Sequence, residues 1–186
     1  MTGAIGAGKS EALAALGRLG AETLSSDTVV RQLLATDELR DHLLERWGER
    51  VAPGGTVDRS AVAEIVFEDP GERKWLESQL HPRVAQRMID WRAAIDPATE
   101  VAVVEVPLLF ENGLEEGFDA VIVVVAGDEL RRARVAERGD AAVEGREQAQ
   151  LSQEEKARRA RYVVDNEGSL ADLERELATV VEQIKR

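Results

Sequence analysis

Eight consecutive residues near the amino end, Gly3-Ala4-Ile5-Gly6-Ala7-Gly8-Lys9-Ser10, fit the pattern G-x-x-x-x-G-K-[ST] at each fixed position. The pattern binds phosphate for a physical reason. Glycines let successive backbone N–H groups converge on phosphate oxygens, and a helix starting at the end of the turn adds its positive dipole end at the same point. Lys9 then supplies a mobile charge for the β and γ phosphates, and the Ser10 hydroxyl suits a Mg²⁺ ligand. The competing account is a flexible Gly-rich turn ahead of an ordinary helix. Leu13, Leu16 and Leu19 follow at helical spacing, and Gly20 stands where a C-cap belongs.

A loop of this kind needs a parallel sheet around it, and the rest of the chain supplies one. Val101 to Val106 and Ala120 to Val125 are nearly continuous runs of β-branched residues, as expected of strands covered on both faces. Ala21 to Leu24 fits a further strand. Val163 and Val164 make a weaker one, followed by Leu170, Leu173, Leu177, Val180, Val181 and Ile184 at helical spacing. Ser25, Ser26 and Asp27 are residues able to cap the next helix, Val29 to Leu34. From Asp37 to Asp96 the pattern is helical almost throughout, with starts expected at Asp37, Asp58 and Asp69-Pro70 and a break at His81-Pro82. Strands alternating with helices imply an α/β doubly wound fold carrying a helical insert.

Composition removes several classes of function. The 186 residues contain no Cys, so there is no disulfide and no thiolate nucleophile. Lys plus Arg total 24 against 36 Asp plus Glu, a formal charge of −12 that opposes binding to nucleic acid or anionic lipid. No apolar run approaches the roughly 20 residues needed to cross a bilayer, and the opening residues lack a signal-peptide pattern, so a cytoplasmic location is expected. Only Lys9, Lys74, Lys156 and Lys185 are lysines, which sets Lys9 apart in an arginine-rich chain.

One feature does not fit. A phosphate loop follows a buried strand, yet only Met1 and Thr2 precede Gly3. The sheet is therefore expected to lack its middle strand, leaving unpaired edge groups on the neighbours, and the start is expected to be truncated.

Several further segments resemble the dephospho-coenzyme A kinase family in order and spacing: the opening TGAIGAGKSE, SSDTVVR, WLESQLHPRV, EVPLLFENGL, FDAVIVVVAG leading to RRARVAER, and YVVDNEGS. The resemblance runs over nearly the whole chain. It implies a P-loop kinase-like three-layer α/β/α fold with a mainly parallel sheet. The nucleotide-binding core would comprise residues 1–30, 99–130 and 160–186, the helical acceptor-binding insert residues 31–98, and a lid residues 131–159. The implied reaction is transfer of the ATP γ-phosphoryl group to the ribose 3′-hydroxyl of dephospho-coenzyme A, with Mg²⁺, in a monomer or small homo-oligomer. Ala4 stands where the family usually has a second Gly, and Ser25 where it has an Asp. These departures bear on the rate more than on the reaction.

Phosphoryl transfer asks mainly for positioning, charge neutralisation and a group to take the acceptor proton. Gly3, Ala4, Ile5, Gly6, Ala7, Gly8, Lys9, Ser10 and the adjoining Glu11 are assigned to the nucleotide, with Ser10 as the metal ligand. Asp27, after the second strand, is the candidate base and acceptor contact, or else a helix cap. Arg131, Arg134 and Arg138 share a helix face, either meeting phosphate or paired with Asp128, Glu129 and Glu137. Arg134 aligns with a family arginine and is the candidate to neutralise the transferring group, with Arg138 nearer the adenine. An exposed amide or backbone at Asn166 is placed at the adenine edge, or is plain turn chemistry. His81 and Pro107 are assigned to the acceptor side by resemblance. Glu105 and Glu111 are candidates to hold Mg²⁺ through water, or structural glutamates. Trp47, Trp75 and Trp91 read as core or pocket wall. A nucleoside-monophosphate kinase and an ATP-binding module without catalysis remain the alternatives. No N-K-x-D-type segment reads guanine.

Overall fold

Short strands of β-branched residues and helices with a single apolar stripe can be buried together only as stacked layers. The computed structural model describes residues 1–138 and 150–186, which form two units, residues 1–25 with 96–186 and residues 26–95.

The first unit holds five parallel strands among the described residues: β1 (Thr2–Gly3), β2 (Glu22–Ser25), β3 (Ala102–Glu105), β4 (Ile122–Val125) and β5 (Tyr162–Asp165). β2 pairs with β3 from Glu22 opposite Ala102 to Ser25 opposite Glu105, and β4 pairs with β5 from Ile122 opposite Tyr162 to Val125 opposite Asp165. β1 lies against β4, Thr2 opposite Val123 and Gly3 opposite Val124. Met1 joins the two halves: its nitrogen donates to the Val104 carbonyl at 2.7 Å, and its carbonyl accepts from Val106 N–H at 2.9 Å. The expectation of an absent middle strand is therefore corrected, because three residues satisfy backbone groups on both neighbours. Burial pushes the Met1 amine down to about 5, against the opposing pull of the Glu105 carboxylate.

α1 (Lys9–Arg18) and α8 (Leu170–Ile184) lay Ala12, Ala15 and Leu16, and Leu173, Leu177, Val180 and Val181, against Val103, Ile122, Val124 and Val164. Each fully buried leucine stabilises this layer by about 2 kcal/mol. Ser169 and Asp172 close a reciprocal capping box at the start of α8, a register fixed by local chemistry. Val104 and Val123 project to the other face by the period of two, and they are buried as well. There α7 (Gln153–Arg159) packs on β4. α6 (Asp128–Arg138) leaves the end of β4.

The second unit is helical: α2 (Ser26–Leu34), α3 (Asp37–Trp47), α4 (Arg59–Glu68) and α5 (Pro70–Ala94). Caps explain the starts. The Thr36, Asp58 and Asp69 side chains accept first-turn N–H bonds, and Pro70 occupies the first helical position of α5. Two expectations are corrected. α2 begins at Ser26, ahead of the Val29 where its apolar pattern starts, so Asp27 is a first-turn residue. α5 runs unbroken through His81 and Pro82. Proline removes one intrahelical donor, but the Arg83 guanidinium donates to the Gln79 carbonyl at 2.8 Å and pairs with Glu38 of α3 at 2.7 Å, and α5 is packed by α2 and α4.

Trp47 meets Trp75 edge to face at 5.0 Å, and its Nε1 donates to Glu72, which also takes two bonds from Arg46. Hydrogen bonds from Arg46 and Trp47 hold the Glu72 carboxyl below its ordinary pKa. The stability it contributes is present above the unfolded value of 4.5 and lost as pH falls through the lower folded value. Glu72→Gln is therefore expected to flatten the fall in the urea midpoint on acidification below 4.5. An unaltered acid limb would show that Glu72 plays no part in it.

Candidate active site

The loop between β1 and α1 is shaped by two glycines that no other residue replaces without strain. Gly6 has φ 78° and Gly8 φ 91°, in the left-handed region. A Cβ on Gly6 would sit 2.5 Å from the Arg131 carbonyl oxygen, and one on Gly8 2.0 Å from Asn166 Nδ2. The Ala7 N–H donates back to the Ala4 carbonyl at 3.2 Å, closing the turn. Gly8 caps α1 without a side chain, so the positive end of the helix is open to an anion.

Three side chains hold this loop. The Lys9 ammonium lies 3.0 Å from the Gly3 carbonyl and 3.0 Å from that of Ala4. Asn166 Nδ2 donates to the Ala7 carbonyl at 2.9 Å. Arg134 donates to the Asn166 carbonyl at 3.0 Å, with its other nitrogen 3.5 Å from the carbonyls of Gly6 and Ala7. The Asn166 N–H is taken by the Val125 carbonyl at 2.8 Å, and the residue is buried. The expectation of an exposed Asn166 amide is corrected: its side chain grips the loop, because the turn after β5 passes directly behind Gly8. Gly8→Ala is accordingly expected to destabilise the chain by about 2–3 kcal/mol, from the left-handed strain and the displaced Asn166 bond, and to weaken ATP binding. Urea midpoints and calorimetric titration measure the two effects, and an unchanged midpoint would contradict the observed packing.

Ser10 is exposed in the first turn of α1, and Glu11 pairs with Arg18 at 3.6 Å. Arg131 lies 3.7 Å from Asp128, while its backbone packs on Gly6. Arg138 ends α6; its side chain, and residues 139–149 of the expected lid, lie outside the described residues. The Pro107 carbonyl, just past β3, accepts from Thr2 Oγ1 at 3.1 Å and from Lys156 Nζ at 2.9 Å. Glu105 is buried at the end of β3, and Glu111 bonds Lys156. In the helical unit Asp27 is exposed in the first turn of α2 and His81 is exposed on α5. Sequence reasoning passed over Lys156 and Gln153, although the rarity of lysine was a usable signal for the first. The described residues contain no cluster of three His, Asp or Glu suited to a metal. The loop does fit Mg²⁺, which keeps several waters, binds phosphate oxygens and needs few protein donors, here the exposed Ser10 hydroxyl.

A glycine-strained phosphate loop between a strand of a parallel sheet and a helix, bordered by a lysine and an arginine, defines a P-loop nucleotide-binding protein. Comparison with known proteins narrows the class. A dephospho-CoA kinase family model matches residues 1–172. The chain is 42% identical to the dephospho-CoA kinase of Deinococcus radiodurans, over 100% of this chain and 91% of that one. It is 36% identical to that of Thermus thermophilus, over 99% and 90%. A Thermus thermophilus crystal structure superposes with a TM-score of 0.84 at 37% identity, covering 98% of this chain and 94% of that one. The dephospho-CoA kinase from Campylobacter jejuni superposes with a TM-score of 0.71 at 28% identity, covering 99% and 94%. The chain belongs to the dephospho-CoA kinase family.

Proposed function

We propose that the chain transfers the γ-phosphoryl group of ATP to the ribose 3′-hydroxyl of dephospho-coenzyme A, giving coenzyme A and ADP. The observation that carries this reading is the loop bound on one side by Lys9 and on the other by Arg134 and Asn166, in a member of this family. The backbone of Gly3 to Ser10 cradles the triphosphate. Lys9 exchanges its two carbonyl partners for phosphate oxygens, so its charge is already at the loop when nucleotide arrives. Arg134, reaching across the loop carbonyls, neutralises charge on the transferring group. Asp27 takes the proton of the attacking hydroxyl. His81 and Pro107 are assigned to the acceptor by the family resemblance, and Glu11 adjoins the cradle in sequence. Ser10 is the protein ligand of Mg²⁺, which when bound neutralises phosphate charge.

No helix among the described residues is long and apolar enough to cross a membrane. The test is a coupled ADP-release assay with dephospho-coenzyme A, AMP, CMP and water as competing acceptors. Turnover with dephospho-coenzyme A alone is expected. Turnover with AMP or CMP instead would make the chain a nucleoside-monophosphate kinase, and ATP binding with no acceptor active would make it a binding module.

A further inference from the structure

Lys156 is among the largest fully buried side chains of the described residues, and phosphoryl transfer at the loop makes no use of it. Burying an ammonium is costly unless its donors are satisfied. Here Nζ lies 3.0 Å from Glu111 Oε1 and 2.9 Å from the Pro107 carbonyl. The same Glu111 oxygen accepts the Leu151 N–H at 2.8 Å. Pro107 and Glu111 begin and continue the turn that leaves β3, and the other bond to the Pro107 carbonyl comes from Thr2 of β1. Leu151 lies just before the N-cap of α7 and Lys156 in its opening residues. Gln153, between them, closes a two-way amide bond on Ala126 after β4, at 2.9 and 3.1 Å. Arg159, one turn further, lies over the Phe110 ring at 5.9 Å. The start of α7 is thus fastened to the ends of two central strands.

We propose that Lys156 is a positioning residue for the acceptor: its ammonium, braced by Glu111, holds the Pro107 to Glu111 turn at the sheet edge. This rests on the assignment of Pro107 to the acceptor side. A surface lysine at this place would hold nothing in water. The buried one supplies a rigid hub, engaged with Glu111 and the Pro107 carbonyl, that joins two backbone segments the sheet ladder does not connect. Glu111 Oε1 is thereby shared between the Lys156 ammonium and the Leu151 N–H.

The test uses the full chain and two variants. Lys156→Met alone strands a buried carboxylate, since Glu111 Oε2 has no hydrogen-bond partner among the described residues. Lys156→Met combined with Glu111→Leu leaves no unpaired charge and is the deciding variant if the first fails to fold. Amide hydrogen exchange of the 106–114 segment is measured beside KM for dephospho-coenzyme A and for ATP. The folded variant is expected to exchange that segment about tenfold faster with β4 unchanged, to raise KM for dephospho-coenzyme A about tenfold, and to move KM for ATP less than about twofold. Unchanged exchange, an unchanged acceptor KM, or an equal rise in both KM values overturns the proposal. A wild-type chain inactive on dephospho-coenzyme A would overturn the functional reading instead, and exchange alone would then decide the tether.

Discussion

Asp27→Asn is expected to lower kcat by about 10²–10⁴-fold with dephospho-coenzyme A, the span usual for losing a positioned general base. The amide keeps the size of the carboxylate and can still accept a hydrogen bond from the hydroxyl, but it cannot take the proton. ATP affinity should change little, because the loop that grips the triphosphate owes nothing to Asp27. The fold should also hold. Asp27 is exposed in the first turn of α2, where losing a negative charge near a helix start costs about 0.3–1 kcal/mol. Single-turnover kinetics at saturating ATP separate the chemical step from product release. A variant with full single-turnover rate would remove Asp27 from the role of base and leave it as a first-turn residue only.

Lys9→Met is expected to cost about 10²–10³-fold in kcat, the effect of removing one preorganised charge from a phosphoryl-transfer site. The methionine retains the length and apolar stem. What disappears is the cation held 3.0 Å from both the Gly3 and Ala4 carbonyls. Unlike Asp27→Asn, this change should also weaken ATP binding. Lys9→Arg should not restore activity, because a planar fork does not reproduce a compact ammonium inside a turn this tight. Restoration of kcat by arginine would mean that the charge, not its placement, is what the loop requires.

Much of the fold is legible in the sequence where local chemistry decides it. Asp58 and Asp69-Pro70 announce helix starts because a short side chain must cap the first turn, and the caps are where the pattern puts them. Val101 to Val106 and Ala120 to Val125 announce central strands, which the structure trims to Ala102–Glu105 and Ile122–Val125. His81-Pro82 misleads, because proline's local cost is small beside the packing of a helix running from Pro70 to Ala94.

The candidate site divides in the same way. The loop from Gly3 to Ser10 is written in its glycines. The grip on it is not, since Asn166 stands 159 residues from Ala7, and no local rule says that its amide turns inward. Lys156 is hidden for the same reason: 49 residues separate it from Pro107, and in sequence it looks like one more solvated charge in a helix of mixed charge. Contacts of that length are decided by topology.

The strand that joins the halves of the sheet also sets a timetable for assembly. Met1 bonds Val104, 103 residues away, and Thr2 and Gly3 then need Val123 and Val124. On the ribosome these few residues must wait, unpaired, until both later strands have emerged, so the phosphate loop acquires its shape near the end of folding. A newborn chain should become able to retain nucleotide only after β4 is out of the exit tunnel, and a pause before that point would leave apolar strands exposed to chaperones.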